Sequence, residues 1–370
     1  METAPDILLL GNSVRYLAQS ACGAGWLPCS VDLFADSDTQ RASRCVSRAA
    51  ADGPQALYDA VPSDCASAGT PWVYGAGFEG RPDLLRALCQ RNPQLYGNDP
   101  QVVEQVADAR AWMRMASELG IPVPTSSDRA PVDRRGWLFK GAGGYGGMQV
   151  RVAKDAVDDG GQGHYQRFVK GPLASLLFAA DGGCMVPIGF NRLYARNPAA
   201  GDFRFAAVVS GYRPGAAVRD VMLSAARRLT EALGLRGVNG LDFVVCDGQP
   251  LVLELNVRPP ASLELYETSL RGGGLHCHVE ACAGRLPESS NELAYRGLHI
   301  VYARQRQRLG DVAWPDYVAD RPPVGTLVLP DEPLCSVHAH GPDEVTVLAR
   351  LRQALDDVHE MVQRHRVEAA

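Results

Sequence analysis

Apolar residues fall in short runs punctuated by glycine and proline, and the period of the runs changes along the chain. Ile7–Leu10 is wholly apolar, Gly11-Asn12-Ser13 supplies a turn, Val14–Ala24 follows helical spacing, and Cys29–Leu33 reads as a second strand. Two strands joined through a helix open a doubly wound α/β unit. Trp72–Gly75 and Asp83–Arg91 continue it as strand and helix. The first turn reads Gly-Asn-Ser-Val-Arg-Tyr rather than GxGxxG, so a dinucleotide site has little support.

Asp99-Pro100 then opens a long helix. Asp99 suits the cap, Pro100 the first turn, and Gly120 the stop before Pro122. Val102, Val106, Ala109, Met113 and Ala116 form its apolar stripe. The segment Ile-Pro-Val-Pro at 121–124 breaks the pattern and marks a subdomain boundary. Over 123–166, Trp137–Lys140 and Met148–Val152 read as strands around a glycine loop, and Asp158–Gly163 as a mobile polar turn. Residues 167–300 carry several strands and a helix from about Ala217 to Leu233. The end of the chain, 320–365, reads as a strand and a helix. There is no internal repeat and no long low-complexity linker.

The segment Gly237–Glu267 carries the clearest chemistry. LDFVVC and LVLELN are apolar runs bounded by Asp247-Gly248 and Pro250, the pattern of a buried β-hairpin. Side chains alternate along a strand, so Glu254 and Asn256 share a face. Asp242 joins that face only through an odd loop or a bulge; a plain two-residue turn at Asp247-Gly248 would send it to the other side. An ordinary hairpin with polar ends is the alternative. Acids embedded in apolar strands are rarely buried unless paired or metal-bound, and two carboxylates on one face ask for a cation. Three oxygen ligands with Arg258 just beyond suit Mg²⁺ held against phosphate.

About a hundred residues upstream, FKGAGGYGGMQV places Lys140 at a strand end, followed by Gly141, Gly143, Gly144, Gly146 and Gly147. Glycines let backbone N–H groups converge on an anion, and lysine adds a point charge. The loop is not a Walker A motif, because GxxxxGK[ST] is absent and a strand follows. A flexible hairpin turn is the bland reading, but the glycine density and the adjoining lysine exceed what a turn needs.

Composition narrows the field. At 370 residues the chain holds two or three domains or subdomains. It is 46% hydrophobic and 21% charged, with net charge −5 and pI about 5.9, and no long basic run, which disfavours nucleic acid and anionic membranes as partners. No apolar run reaches bilayer length, and no secretory signal opens the chain. The ten cysteines are scattered without a CxxC pair, which reads as free, buried thiols in a reducing cytosol, hence a cytoplasmic protein. The His-Cys-His at 276–278 lies in a segment that reads as a helix ending at Gly284, where solvated or packed helix residues fit better than a zinc site.

With these motifs in place the chain resembles an ATP-grasp ligase over most of its length, in the branch of biotin carboxylases and amino-acid ligases. The fold class implied is α/β and α+β: an ATP-grasp fold with an N-terminal Rossmann-like domain. The resemblance implies a pre-grasp domain at 1–98, a linker helix and lid at 99–166, and a subdomain with the metal site at 167–370. It assigns ATP and Mg²⁺ as cofactors, with Asp242, Glu254 and Asn256 on the metal and Arg258 on the phosphates or acyl phosphate. YQRFVKGPLAS (165–175) is similar to the hinge that receives adenine and points to Gln166, Phe168 and Val169. The first basic ATP contact of the family matches Arg110 by its distance from the Gly-Ile-Pro turn. The acidic ribose ligand has no match, since Lys170 and Leu173 stand in that region. PVGTLVLPDEPLCSVHAHGPDEVTVLARL resembles the closing segment of biotin-carboxylase-like members.

The implied reaction joins a carboxylate and ATP into an acyl phosphate, which an amine or another nucleophile then attacks. Positioning and charge neutralisation, with Lys140 and Arg258, carry it without a protein nucleophile. Arg192 and Arg204 stand as substrate-carboxylate ligands or as solvated surface residues with equal weight. Glu264 and Tyr266 either shape the acceptor pocket or cap the segment that follows. The expected partners are small-molecule carboxylates and amines, with a homodimer left open. A carboxylase-type enzyme with a non-amine acceptor and a non-catalytic ATP-binding protein are the alternatives.

Overall fold

The computed structural model describes residues 6–50, 53–62, 69–144, 146–155, 163–288 and 295–367. Of the glycine-rich turn expected at Asp158–Gly163, all but Gly163 lies outside the described residues, as do Tyr145 and Cys65.

The N-terminal strands form a five-stranded parallel sheet in the spatial order Cys45–Arg48, Pro28–Asp32, Ile7–Leu10, Trp72–Tyr74, Leu95–Tyr96. The strand order reverses between Ile7–Leu10 and Trp72–Tyr74, so the loops after those two strands flank a switch point at the carboxyl edge, the usual place for a ligand crevice. Both faces are covered at the centre of the sheet, which is why Ile7–Leu10 and Trp72–Tyr74 read as unbroken apolar runs.

A four-stranded sheet follows, ordered Ser126–Ser127, Gly163–Arg167, Trp137–Gly141, Val150–Val152, and it carries the glycine loop at one end. Beyond it lies an eight-stranded sheet. Its edge is the hairpin Gln249–Asn256 and Arg236–Cys246, followed by Leu173–Asp181, Met185–Asn197, Asp202–Ser210, Tyr295–Tyr302, Pro333–Gly341 and Val318–Ala319. The helix Ala216–Leu233 covers the hairpin end, and Glu344–Arg364 covers the other. Leu8, Trp72 and Leu88 from the parallel sheet and its helices belong to one buried cluster with Phe178, Leu229 and Phe243 of the large sheet and its helix. The two layers therefore share a core, which fixes the switch point against the hairpin's exit. Among the described residues no helix is long and apolar enough to cross a membrane.

Two expectations are corrected. The long helix is two, Pro100–Ala107 and Ala109–Glu118. Asp108 interrupts it in an extended conformation, and its carboxylate accepts the N–H groups of Arg110 and Ala111, at 2.8 and 3.1 Å. An aspartate that can cap competes with the continuing helix, and here it wins. The cysteines are not all free either: Cys29 and Cys45 sit opposite each other on adjacent parallel strands, Cα atoms 4.9 Å apart, and are joined by a disulfide. The bond removes the cysteine argument for a reducing compartment. The His-Cys-His segment is helical, as expected, within Gly273–Cys282; His278 is fully buried and accepts the Val238 N–H at 2.9 Å.

Candidate functional site

The hairpin turns through two residues, Asp247 and Gly248, both in the left-handed region that a type I′ turn requires. Such a turn alone pairs Asp242 with Leu253. Instead a bulge at Leu253 shifts the register, so Asp242 faces Glu254 and Gly240 faces Asn256. The bulge brings Asp242 onto the face of Glu254 and Asn256. Gly240, having no side chain, leaves room there: a Cβ would come 3.2 Å from Pro260 and 3.6 Å from the Asn256 Cβ.

Asn256 Nδ2 donates to Asp242 Oδ2 at 3.3 Å. All three side chains are half-buried. Burial first, then the charge of Glu254, pushes the Asp242 carboxyl up to about 7, against the pull of Arg258 and Lys140. Burial also raises Glu254, with Lys140 and Arg258 pulling it back. Residues directly opposite on paired strands have Cβ atoms roughly 5 Å apart, close enough for the two like charges to repel. This donor set, two carboxylates and an amide oxygen whose negative charge Lys140 and Arg258 only partly offset, fits a hard divalent cation. Among the described residues there is no group of three or more His, Cys, Asp or Glu side chains arranged to hold a metal, so Asn256 and waters or substrate oxygens would complete the shell.

Lys140 reaches the same place from the small sheet. Its Nζ lies 3.5 Å from the carbonyl of Leu253, the bulged residue. Burial lowers its pKa, and Glu254 and Asp242 hold it up. His164 stands opposite Lys140 in register; burial and then the lysine charge push it down to about 4, so it is neutral at pH 7.

Arg258 leaves the hairpin strand, 9% exposed. Its Nε donates to Glu79 Oε1 at 2.5 Å and its Nη2 to Asn256 Oδ1 at 3.1 Å. Burial works against its charge, and Glu79 more than restores it, so its pKa ends above the ordinary arginine value. The strand exit is pinned from the N-terminal layer: Asn98 Nδ2 donates to Val257 O at 2.9 Å and Tyr74 Oη to the Asn98 carbonyl at 2.9 Å. Glu79 and Asn98 are the residues that sequence reasoning missed. The available signal was Gly-Ala-Gly-Phe-Glu-Gly following a parallel strand at the sheet's carboxyl edge.

The structure thus brings Lys140, Asp242, Glu254, Asn256 and Arg258 together. Gly147 and Arg204 both line a cleft of about 280 Å³ between the end of the glycine loop and the strand Asp202–Ser210. There Arg204 is engaged two-pronged by Asp202, at 2.8 and 2.7 Å. Arg192 lies over the Tyr212 ring and 3.7 Å from Glu344. Arg110 is exposed in an ion pair with Asp128 at 2.9 Å. Glu264 is claimed by the buried Arg15, which also binds Asp320 at 3.0 Å. Tyr266 is buried, its hydroxyl donating to Asn191 Oδ1 at 2.8 Å. Gln166 is buried in the strand Gly163–Arg167, the Phe168 N–H donates to Gly136 O at 2.9 Å, and the Phe168 ring meets Phe203 at 6.0 Å. Val169 follows in the connection to the large sheet.

The family described as ATP-grasp domain matches residues 106–262. No curated protein sequence matches the chain. Among solved structures it is similar to a biotin carboxylase–β,γ-ATP complex from Campylobacter jejuni, with 14% identity over 95% of this chain and 91% of that one and a TM-score of 0.74. It is similar to N5-carboxyaminoimidazole ribonucleotide synthetase from Thermotoga maritima, with 14% identity, 95% and 98% coverage and a TM-score of 0.68. A third is the biotin carboxylase domain dimer of the Hydrogenobacter thermophilus 2-oxoglutarate carboxylase, in complex with MgADP, ADP and bicarbonate, with 14% identity, 96% and 90% coverage and a TM-score of 0.72.

Proposed function

From the premise that this chain is an ATP-grasp protein, we propose that it is an ATP- and Mg²⁺-dependent ligase that activates a carboxylate as an acyl phosphate for attack by an amine. The observation that carries the reading is the meeting of Asp242, Glu254 and Asn256 on one hairpin face with Lys140 and Arg258 at its rim. In this reading residues 1–98 are the pre-grasp domain, 99–166 the linker helices and lid, and 167–370 the subdomain with the metal site.

Asp242, Glu254 and Asn256 would hold Mg²⁺, which when bound neutralises charge on the phosphates. Lys140 and the glycine-loop N–H groups hold the β- and γ-phosphate oxygens. A carboxylate oxygen of the acid attacks the γ-phosphorus, the bridging bond to the β-phosphate breaks, and ADP leaves. Arg258 stabilises charge on the equatorial oxygens during that transfer. The amine nitrogen then attacks the acyl carbon, expels phosphate and gives up a proton.

A screen of ADP release over carboxylic acids and amines tests the reaction, with ADP expected only when an acid is present. ADP release from no acid, with or without amines, would sink the ligase reading. The bicarbonate named with the Hydrogenobacter domain favours a second reading, in which bicarbonate is the acid and a non-amine nucleophile accepts it. Bicarbonate-dependent ADP release that ignores amines would select that reading.

Lys140→Met is expected to weaken nucleotide binding by roughly 10–100-fold, the loss of one charge-assisted contact of about 1.5–3 kcal/mol. Calorimetric titration with Mg-ATP measures it, and unchanged affinity and turnover would reject the phosphate role.

A further inference from the structure

Arg258 is oriented from outside its own subdomain. Glu79 takes its Nε, Asn256 takes Nη2, and among the described residues Nη1 has no hydrogen-bond partner. The other Glu79 oxygen accepts the Gly77 N–H at 2.7 Å, which ties the carboxylate to its own loop. Tyr74, Phe78, Leu85 and Val103 wall the pair on one side around a gap of about 10 Å³, room for one water at most.

The next residue, Gly80, is where the glycine loop comes down. A Cβ on Gly143 would sit 2.5 Å from the Gly80 Cα, and one on Gly80 would sit 3.0 Å from the Gly143 Cα. Only glycine on both sides lets the two backbones meet this closely. On its far side the same loop rests on the large sheet: Phe205 N donates to Gly146 O at 2.8 Å, and a Cβ on Gly147 would fall 2.3 Å from Phe203 O.

We propose that Glu79 is the positioning residue for Arg258, and that the 77–80 loop couples seating of the glycine loop on Gly80 to that position. The proposal rests on the ligase reading and deepens it. Arg258 stands among Asp242, Glu254 and Glu79. Without Glu79 its guanidinium would swing to the two carboxylates that the metal needs. With Glu79 on Nε, the fork is fixed in plane and Nη1 is left for a transferring oxygen. Lifting the glycine loop uncovers the loop that holds Glu79, so Arg258 is set only when the nucleotide is covered. Phosphoryl transfer to water is thereby disfavoured while the lid is up.

The test uses the full chain with Glu79→Gln, Glu79→Asp and Gly80→Val. Glu79→Gln is expected to lower kcat by about 10²-fold, the effect of a displaced reacting group. Its KM for ATP should change little, its melting temperature should fall less than that of Arg258→Ala because Asp242 and Glu254 still face the guanidinium, and its Mn²⁺ affinity without nucleotide should weaken by roughly tenfold as Arg258 competes for the ligands. Glu79→Asp should recover part of kcat. Gly80→Val should increase hydrogen exchange of the 141–147 loop under a non-hydrolysable ATP analogue and lower kcat. Wild-type kcat and Mn²⁺ affinity in Glu79→Gln, or a kcat loss that only tracks lost folded protein, overturn the positioning role. Unchanged loop protection in Gly80→Val overturns the coupling. A wild-type chain that binds neither Mn²⁺ nor Mg-ATP instead sinks the ligase reading and this role with it.

Discussion

Asp242→Asn is expected to abolish ATP turnover and, at the same time, to make the nucleotide-free protein more stable at pH 8. The two effects share one cause. Asp242 is half-buried opposite Glu254, and burial followed by that neighbouring charge pushes its carboxyl up to about 7. The unfolded chain has no such penalty, so between about pH 4 and 7 the folded state binds more protons than the unfolded one. Stability from this group is therefore greatest at the acid end, falls as pH rises through the window, and levels off above about 7. Asparagine keeps the shape, removes the charge and should gain about 0.5–2 kcal/mol at pH 8, with the gain vanishing toward pH 4. Asp32, pushed up to about 6, and Asp36, to about 9, bend the stability curve in the same direction, so the difference between wild type and variant is the quantity to plot. Turnover should fall by about 10³-fold or more, since a metal-bound phosphoryl transition state loses several kcal/mol with a ligand. Denaturant unfolding at several pH values and an ADP-release assay measure both. A variant that is destabilised at pH 8, or that turns over normally, would remove Asp242 from the metal face.

That face was only half legible in the sequence. Glu254 and Asn256 share it by simple alternation. Asp242 required a shift that no local propensity announces, because a bulge at Leu253 is set by the ladder and by what packs beneath it. At the centre of the parallel N-terminal sheet Ile7–Leu10 and Trp72–Tyr74 were readable because burial on both faces writes itself as unbroken apolar runs, whereas the short, partly exposed edge strands Cys45–Arg48 and Leu95–Tyr96 carry no such run. The break at Asp108 was open to the same reading, since an aspartate three residues from Ala111 is a cap in waiting, but the apolar stripe continued across it and masked the interruption. Long-range polar pairs left no trace. Glu79 lies 179 residues from Arg258, and Arg15 lies 249 from Glu264. Each looks like an ordinary charged residue until the switch point and the hairpin exit are placed together. Glu264 shows the converse: read as shaping the acceptor pocket or capping the next segment, it pairs with Arg15, which also binds Asp320, in a separate buried network.

Arg258 is where stability and catalysis must be pulled apart. Its structural partner is Glu79, at 2.5 Å. Arg258→Ala removes one partner of a buried pair and strands Glu79 beside Asp242 and Glu254, so a loss of about 3–5 kcal/mol is expected whatever the catalytic role. Melting temperature alone therefore decides nothing. Adding Glu79→Gln to Arg258→Ala removes the stranded charge, and much of the lost stability should return. The turnover should not return. If Arg258 stabilises charge on the transferring phosphoryl, kcat of the folded fraction stays about 10²–10³-fold down in both variants, which is about 3–4 kcal/mol of transition-state stabilisation. Arg258→Lys keeps a charge near Glu79 but has no planar fork to reach Glu79, Asn256 and a third oxygen together, so it should be close to wild type in stability and still impaired in kcat. Near-normal kcat in Arg258→Lys, or recovery of kcat along with stability in the double variant, would assign Arg258 to holding the two layers together and not to phosphoryl transfer.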